Sequence, residues 1–398
     1  MYSERYVFSQ LTIYLSQKYF NRLVYKYNDR TQKWGFSHWN HLLVLIFGQL
    51  IGCDSLRGLV DILTAHSKRA YHLGFGKNII NKTILSRANE VRNLNIFQDF
   101  ALYMINIAQK KRIINDFCLH GKFYAIDATI IDLCKSIFKW AHFRESKSGV
   151  KIHTQIDITT EVPTFYRITN ANIHDVRAMD WIKYEHSACY IFDRGYFDLN
   201  RLFNINLIGA FFVIREKGRP KYEILSDEQL IESDNVLLDQ TIRFIESRNK
   251  SNYPSEMRRI VYYAPDLKRT FTYYTNNFYL KATEIALLYK YRWQIELFFK
   301  FIKQHLKVKS FWGKSETAVS IQIHIAIITY CLVAIVEKDL KLDRPIAEVI
   351  RILGSSLLVK DPIRELFTPL SNESYSDGFQ LKLNLITKIG RASCRERV

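Results

Sequence analysis

A stretch of 14 residues from Ile323 to Val336 constrains the fold of this chain more than any other segment. Only His324, Thr329 and Tyr330 bring polar groups into its otherwise apolar run. The stretch is too short to cross a bilayer, which needs about 20 apolar residues. A helix that is apolar around its whole circumference is buried. We therefore predict a buried helix over about 317–337 and a fold large enough to enclose it.

Composition and charge limit the class of protein and its partners. The chain has 398 residues, of which 48% are hydrophobic and 24% charged. This composition is globular, and the length corresponds to two or three domains. With 57 Lys and Arg against 39 Asp and Glu, the net charge is +18. Such an excess indicates a polyanionic partner, DNA or RNA first, although a basic protein with a solvated surface is an alternative.

Cysteine spacing and the N-terminal segment predict a cytoplasmic protein. None of the six cysteines forms a CxxC pair, which argues against a structural zinc site and fits a reducing compartment. Residues 1–20 carry charged and polar side chains throughout and lack the apolar core of a signal peptide. We expect no association with a membrane.

The last 11 residues, 388–398, resemble the translation of sequencing-adapter DNA. On this interpretation the native reading frame ends near Thr387. The segment has four basic residues and one acidic residue, so it accounts for +3 of the net charge and leaves +15. The preference for a polyanion survives, and the segment is left out of the prediction of the fold.

Residues 1–118 are predicted to be helical. Apolar residues recur at three- and four-residue spacings over 8–25, 38–64 and 84–110. Ser37, and either Asn81 or Thr83, are candidate N-caps. Basic residues cluster around the start of the third run, and a DNA-contacting helix and a solvated face are equally good interpretations of Lys77, Lys82, Arg87 and Arg92.

From residue 119 the pattern changes to short apolar runs typical of strands. The predicted order is β-β-β-α-β-α-β, with elements at 122–127, 150–158, 163–169, 175–184, 189–193, 197–204 and 208–214. Residues 216–283 are predicted to form a β-rich insertion with strands at 259–263 and 270–274. A long helix is predicted from Thr283 through His305.

Two of the predicted strands end in a carboxylate, Asp127 and Asp193. One such acid is ordinary, because acids often cap the following turn. If the two strands were parallel neighbours, as the first and fourth strands are in ribonuclease-H-like sheets, both carboxylates would project from one edge. They would then lie close enough to share divalent cations.

The long helix carries a narrow polar face on an otherwise apolar surface. At about 100° per residue, four of its residues fall within a face roughly 60° wide. These are Tyr289, Arg292, Glu296 and Lys303. A self-satisfied Arg–Glu pair at i,i+4 is the simpler interpretation. Four polar residues on one face, after two strand-end acids, favour a functional site.

The chain resembles DDE transposases of the insertion-sequence-four group, in the branch with a helical N-terminal domain. The pattern Y-x2-R-x3-E-x6-K is present from Tyr289 to Lys303, and the string from Tyr291 to Lys300 is similar to the signature of the group. Three further motifs resemble those of the family: Asp127-Ala128-Thr129, Asp193-Arg194-Gly195-Tyr196 and Tyr274-Thr275-Asn276. Residues 8–57 look like the helical domain of this branch.

The resemblance implies a fold and a division into domains. The fold is an α/β ribonuclease-H-like catalytic core with a β-rich insertion between the second Asp and the Glu, plus an α-helical N-terminal domain. The expected segments are a DNA-binding domain over 1–118, the core over 119–215, the insertion over 216–283, the catalytic helix and following helices over 284–365, a C-terminal segment over 366–387 and the non-native tail over 388–398.

The resemblance also implies a metal site and a reaction. Asp127, Asp193 and Glu296 would be the catalytic residues and the ligands of two Mg²⁺ ions, for which Mn²⁺ could substitute. The reaction would be hydrolysis of a phosphodiester bond at the ends of an insertion sequence, followed by strand transfer to target DNA. Arg292 and Lys303 would bind DNA phosphates near the cut, Tyr289 would contact the terminal phosphate, and Lys300 would add to this surface.

The partners implied are double-stranded DNA, as terminal inverted repeats and as target, and a second copy of the chain assembled on that DNA. The expected location is the nucleoid of a prokaryotic cell. Two alternatives stay open, a metal-dependent DNA nuclease or resolvase on the same fold and a non-catalytic DNA-binding descendant. The basic residues around 144–151, Lys151 among them, could touch DNA or form a solvated loop with equal weight.

Overall fold

The computed structural model describes residues 5–31, 35–76, 80–112, 119–134, 136–144, 147–218, 220–228, 235–304 and 311–368. Lys77, His305 and the tail over 388–398 lie outside the described residues, as does most of the segment 366–387. The helices in the described part are α1 (Val7–Thr12), α2 (Gln17–Lys26), α3 (His38–Leu50), α4 (Leu56–Ala65), α5 (Lys82–Val91), α6 (Leu94–Lys111), α7 (Leu199–Leu207), α8 (Ser247–Asn252), α9 (Ala282–Tyr291), α10 (Trp293–Gln304), α11 (Glu316–Asp339) and α12 (Ile346–Ser356).

Ten strands form one mixed sheet. They are β1 (Phe123–Leu133), β2 (His142–Arg144), β3 (Lys147–Asp157), β4 (Val162–Asn170), β5 (Cys189–Phe192), β6 (Phe211–Arg215), β7 (Tyr222–Asp227), β8 (Val236–Phe244), β9 (Met257–Ala264) and β10 (Arg269–Thr275). The spatial order is β2-β3-β1-β5-β6-β10-β9-β8-β7, with β4 also paired to β3. Among the strands of the described residues, only the pairs β1–β5 and β5–β6 are parallel.

Side chains alternate between the two faces of the sheet and build two hydrophobic clusters. Ala125 and Ile191 point into a large cluster that also contains helices α1–α6 and α9–α12. Tyr190 and Phe212 point the other way, into a smaller cluster with α7. The sheet is therefore covered on both faces in the region where its strands are parallel.

Helix α11 lies at the centre of the large cluster, against α3, α6 and α12. Among the described residues it is the one helix long and apolar enough to cross a membrane, but its whole apolar stretch is buried inside the protein. This confirms the predicted buried helix. Its 24 residues would suffice for a span, so complete burial, and not shortness, distinguishes it as a core helix.

The N-terminal region over 1–118 is helical as predicted in its described residues, and each predicted run is two helices. The run over 8–25 is α1 and α2, the run over 38–64 is α3 and α4, and the run over 84–110 is α5 and α6. Ser37 and Asn81 are confirmed as N-caps, because their side chains accept hydrogen bonds from the N–H groups of Asn40 and Ile84. New caps divide the runs: Ser55 begins α4 and Asn93 begins α6.

Two basic residues predicted to face DNA or solvent are instead buried. Arg92 stacks over the ring of Phe36 and donates hydrogen bonds to the carbonyls of Phe36 and Ser37. Lys151 points inward from β3, where its Nζ donates to the carbonyl of Ile173 and pairs with Asp175 at 2.8 Å. The DNA-facing and the solvent-facing interpretations were both wrong for these two residues. Carbonyl oxygens and, for Lys151, the carboxylate of Asp175 compensate the desolvation of each cation.

Three predicted element boundaries were wrong. Strand β1 does not end at Asp127 but continues to Leu133, because β3 pairs with it along that whole length. The predicted helix over 175–184 is a 3-10 turn that ends at Asp180. The predicted helix over 283–305 is interrupted at Arg292, which separates α9 from α10.

Candidate active site

The carboxylates of Asp127 and Asp193 come together at an edge of the parallel pairing. Strands β1 and β5 pair in parallel up to Ile126 and Phe192, and the two acids are the next residues. Parallel neighbours place equivalent positions side by side. Asp193 lies just beyond its strand, whereas Asp127 remains within β1, opposite Thr154 of β3. The sequence-based expectation of two acids at neighbouring strands is therefore met by the geometry, although only one strand ends there.

Asp127 is largely buried, and its two oxygens have different partners. The N–H of Ala128 donates to Oδ1 at 2.8 Å, and Nη1 of Arg292 donates to Oδ2 at 3.2 Å. Burial raises the pKa of the Asp127 carboxyl to about 6, against the opposing effects of the Ala128 N–H and Arg292. The nearby charges of Asp193 and Glu296 raise this pKa further. The site thus favours a cation beside Asp127.

Asp193 is more exposed than Asp127 and more fully compensated. The hydroxyl of Tyr289 donates to its Oδ1 at 3.2 Å, and Nη2 of Arg215 lies 3.8 Å from the same oxygen. Burial alone would raise the pKa of Asp193, but the Arg194 N–H, Arg292 and Arg215 outweigh it and lower that pKa. Asp193 is therefore held in its charged form.

Arg292 connects the third acid to the first. Its Nη2 donates to Oε1 of Glu296 at 2.7 Å, one turn along the chain, while Nη1 contacts Asp127. The guanidinium also lies over the ring of Tyr289 at 5.5 Å. Burial opposes the charge of Arg292, but Tyr289, Asp127 and Glu296 outweigh it and raise the pKa of the guanidinium. Its Nε is buried and has no hydrogen-bond partner among the residues that the structure describes.

The backbone at Arg292 places this side chain between the sheet and α10. The Arg292 N–H donates to the carbonyl of Tyr289, and the Ile295 N–H donates to the carbonyl of Arg292, both over three residues. These tightened turns interrupt the α-helical pattern at one residue, so α9 presents Tyr289 and α10 presents Glu296 to the same edge of the sheet.

The donor set is suitable for a hard divalent cation, but its members are not gathered around one point. Three carboxylates without His or Cys are ligands that Mg²⁺ prefers. In the part of the chain that the structure describes, no three His, Cys, Asp or Glu residues are placed to hold a metal ion together. Arg292 instead supplies the positive charge between Asp127 and Glu296.

The two lysines predicted to bind DNA lie farther along α10. Lys300 is exposed one turn after Glu296, and Lys303 is half-buried near the end of the helix. The structure therefore links five of the seven predicted site residues in one connected set of contacts, through Arg292 and Tyr289. They are Asp127, Asp193, Tyr289, Arg292 and Glu296.

Sequence reasoning missed two residues at this edge. Arg215 ends β6, which is parallel to β5, so it lies at the edge that carries the acids. A strand prediction extended by one residue past Ile214 would have found it. Tyr196 is 1% exposed, and its hydroxyl has no hydrogen-bond partner in the described structure. Its position in the motif after Asp193 was visible, but its burial was not.

Comparisons with known proteins agree with the resemblance drawn from the motifs. The family described as Transposase DDE domain matches residues 120–332, more than half of the chain. A second family, described as Domain of unknown function (DUF4372), matches residues 3–76. The two matches cover the sheet with its acids and the first helices, respectively.

Three relatives carry the word transposase in their names. The y4zB protein of Sinorhizobium fredii is 36% identical over 225 residues, which are 56% of this chain and 62% of the relative. A protein of insertion sequence element IS5377 from Geobacillus stearothermophilus is 27% identical over 52% of this chain and 54% of its own. A protein of insertion sequence element IS4SA from Synechocystis is 25% identical over 64% of this chain and 71% of the relative. The chain thus spans less than two thirds of the first two relatives.

Proposed function

Because the chain belongs to the family of proteins with a transposase DDE domain, we propose that it is the DNA transposase of an insertion sequence. It would hydrolyse a phosphodiester bond at each end of the element and then transfer the freed strand to target DNA. One observation carries the proposal. Three carboxylates, from β1, from the end of β5 and from α10, lie at one edge of the sheet, where Arg292 contacts Asp127 and Glu296 and Tyr289 donates to Asp193.

The arrangement of the first strands supports a ribonuclease-H-like core. The spatial order β4-β3-β1-β5-β6 has antiparallel pairs on one side of β1 and parallel pairs on the other. Strands β7–β10 lie in sequence between Asp193 and Glu296 and continue the sheet beyond β6. We propose this core over 119–215 and 284–365, the insertion over 216–283 and a DNA-binding region over 1–118.

We assign Asp127, Asp193 and Glu296 as the ligands of Mg²⁺, or of Mn²⁺ in its place. When bound, two such ions would activate a water or hydroxyl nucleophile and stabilise the leaving oxygen of the cut strand. Asp127 would hold metal together with Asp193 and Glu296, whose charges both act on its carboxyl group. The protein's own share is to hold three charged carboxylates at one edge.

Arg292 must exchange its carboxylate contacts for another anion when the acids take up metal. A DNA phosphate beside the cut is the anion that this reaction supplies, and guanidinium binds phosphate through two parallel hydrogen bonds. Tyr289 already directs its hydroxyl at Asp193, from where it would reach the terminal phosphate. Lys300 and Lys303 would hold the backbone farther along α10.

The proposed partners are double-stranded DNA, as element ends and target, and a second copy of the chain joined to the first on DNA. Pairing two ends requires two sites, which is the reason for the homodimer. We propose that the protein works on the nucleoid in the cytoplasm.

The test is cleavage of a labelled DNA duplex. The duplex carries the terminal sequences of the element, which flank the gene for this chain. The native chain should nick at the end with Mg²⁺ and not with EDTA. Asp127→Ala and Glu296→Gln should lose at least about 10³-fold of the cleavage rate while keeping DNA binding, since each removes a catalytic group. Asp132→Ala, on the same strand at an exposed position, is the matched control and should cut normally.

Joined products would separate a transposase from a nuclease that only cuts. If Glu296→Gln loses binding and cleavage equally, Glu296 is structural and the assignment of the site is wrong. If the native chain binds the duplex tightly and never cuts it, the proposed activity is wrong for this chain.

A further inference from the structure

A basic groove lies away from the carboxylate site, between the N-terminal helices and the segment that precedes α11. It has a volume of about 570 Å³ and is open to solvent. Arg57 of α4, Lys82 of α5 and Lys314 line it, and all three side chains are exposed. Glu90 is the single acid among its lining residues.

The floor of the groove is fixed by contacts between distant parts of the chain. The indole N–H of Trp312 donates to the carbonyl of Cys53 at 3.0 Å, and the Trp312 backbone N–H donates to Gln322 at 2.8 Å. On the adjoining side the indole of Trp140 donates to the carbonyl of Lys314 at 2.8 Å. The three cations are therefore held on packed elements at set positions.

The charges of the groove are uncompensated within the described structure. Arg57, Lys82 and Lys314 have no ion pair there, whereas several exposed lysines elsewhere do: Lys26 with Asp99, Lys111 with Asp339, Lys122 with Glu185 and Lys290 with Asp266. Glu90 contacts Ser86 at 3.4 Å and not one of the cations. Three unpaired cations around a fixed groove are complementary to a row of anions.

We propose that this groove holds the sugar-phosphate backbone of double-stranded DNA at a point remote from the cut. We name DNA as the ligand because of the proposed function, whereas the presence of the cationic groove does not depend on that function. The groove joins Arg57 and Lys82 of the N-terminal region to Lys314 in one surface, so both parts of the chain would hold the same duplex.

The position of the groove predicts which phosphates it contacts. None of the residues that line the groove belongs to the carboxylate site. Lys314, which Trp140 contacts, comes after the end of α10 in the chain. Phosphates in the groove should therefore be separate from those beside the carboxylates.

The experiment compares two triple variants of the full chain that lose the same charge. Arg57→Ala, Lys82→Ala and Lys314→Ala remove the cations of the groove. Lys18→Ala, Lys217→Ala and Lys250→Ala remove exposed lysines elsewhere and serve as the control. Binding to a 30-base-pair duplex of mixed sequence is followed by fluorescence anisotropy in EDTA at several salt concentrations, so neither metal nor cleavage is involved.

Loss of three phosphate contacts should weaken binding roughly 100-fold at 0.15 M salt and reduce the slope of log K against log salt by about 2.7. The control should lose much less. The conservative variant Lys82→Arg with Lys314→Arg keeps the charge and should bind as the native chain does. Ethylation interference on an end-bearing duplex should show the lost contacts at phosphates other than those beside the cut.

Equal weakening by the two triple variants would mean that net charge alone matters, and the groove assignment would be wrong. Unchanged far-ultraviolet circular dichroism and melting temperature must accompany the loss, because an unfolded variant would mimic it. If the native chain cuts its ends but the groove variant binds like the control, the groove fails and the proposed function stands. If the groove variant loses binding and the native chain never cuts, the groove assignment stands and the proposed function fails.

Discussion

At the scale of single residues, Arg292 joins the carboxylate site together. It contacts Asp127 and Glu296 and lies over the ring of Tyr289, so its guanidinium supplies the positive charge beside these two acids. A buried guanidinium with such partners is costly to leave unpaired. Arg292 can therefore leave these carboxylates only when a metal ion replaces it beside the acids and another anion pairs with its guanidinium. In the proposed reaction, this couples metal binding to DNA binding.

Arg292→Ala is expected to weaken DNA binding about fivefold at 0.15 M salt and to lower the salt slope by about 0.9, the share of one phosphate. The measurement is a salt titration of binding in the presence of Ca²⁺ or another divalent ion that does not support cleavage. Lys290→Ala is the control, because Lys290 is exposed and already paired with Asp266. An unchanged slope would remove Arg292 from the DNA contacts.

A buried histidine gives a second prediction at this scale. His324 of α11 is enclosed, its Nδ1 lies 2.7 Å from the hydroxyl of Tyr166, and burial lowers the pKa of its imidazole to about 3. In the unfolded chain a histidine has a pKa near 6.5. The unfolded state therefore binds more protons between these values, and the folded state loses stability as the pH falls from 6.5 towards 3.

Between pH 7 and pH 5 this single group should cost the native chain about 2 kcal/mol of folding free energy. His324→Asn lacks the titration, so the stability difference between native and variant should narrow by that amount at pH 5. Guanidinium unfolding at both pH values measures the difference. A gap that does not change with pH would show that His324 is not buried as a neutral ring.

At the scale of elements, boundaries were harder to predict than identities. The buried helix, the helical N-terminal region and the two strands that carry the acids follow from apolar patterns, whereas the parallel pairing of those strands was a condition of the prediction. The interruption at Arg292 has no Gly or Pro to announce it, and the extension of β1 to Leu133 depends on its partner β3. Both are effects of neighbours in space, which local patterns do not contain.

Helix α12 packs against the end of α3 at a glycine. A Cβ added to Gly354 would lie 2.4 Å from the carbonyl oxygen of Leu50, and a backbone atom cannot move aside without shifting a helix. Gly354→Ala should lower the free energy of unfolding by about 1–3 kcal/mol through overpacking. Gly58→Ala is the control, since its Cβ would meet only side-chain atoms at 3.4 Å or more.

Guanidinium unfolding of the two variants tests the packing. The Ala at position 58 replaces a helical glycine and should be neutral or stabilising by up to about 1 kcal/mol. If Gly354→Ala is as stable as the control, α12 and α3 are not in close contact.

At the scale of the whole molecule, the N-terminal region and the rest of the chain share one hydrophobic core. The cluster that contains α1–α6 also contains α11, α12 and the inner face of β1. Helix α3 is buried along nearly its whole length, and α11 covers part of that surface. The proposed DNA-binding region over 1–118 is thus a region of the sequence that depends on the rest for its burial.

The isolated segment 1–118 should therefore fail to fold on its own. Without α11, α3 would expose apolar side chains that burial stabilises by about 25 cal/mol per Å². Circular dichroism of the fragment should show weak helicity without a cooperative melt, while the full chain unfolds in one transition. A cooperative transition in the fragment would show an autonomous domain.

The sequence by itself determined the buried helix, the helical N-terminal region, the strand-rich region that follows it, and the candidate acids and arginine of the site, because apolar periodicity and motif spacing are local properties. Only the tertiary structure decided that Arg292 lies between Asp127 and Glu296, that Arg215 and Tyr196 border the acids, and that Lys151 and Arg92 are buried. Asp127 and Arg292 are 165 residues apart in the chain. Whether two such groups meet depends on the packing of the sheet against α9 and α10, and that packing is a property of all their neighbours together.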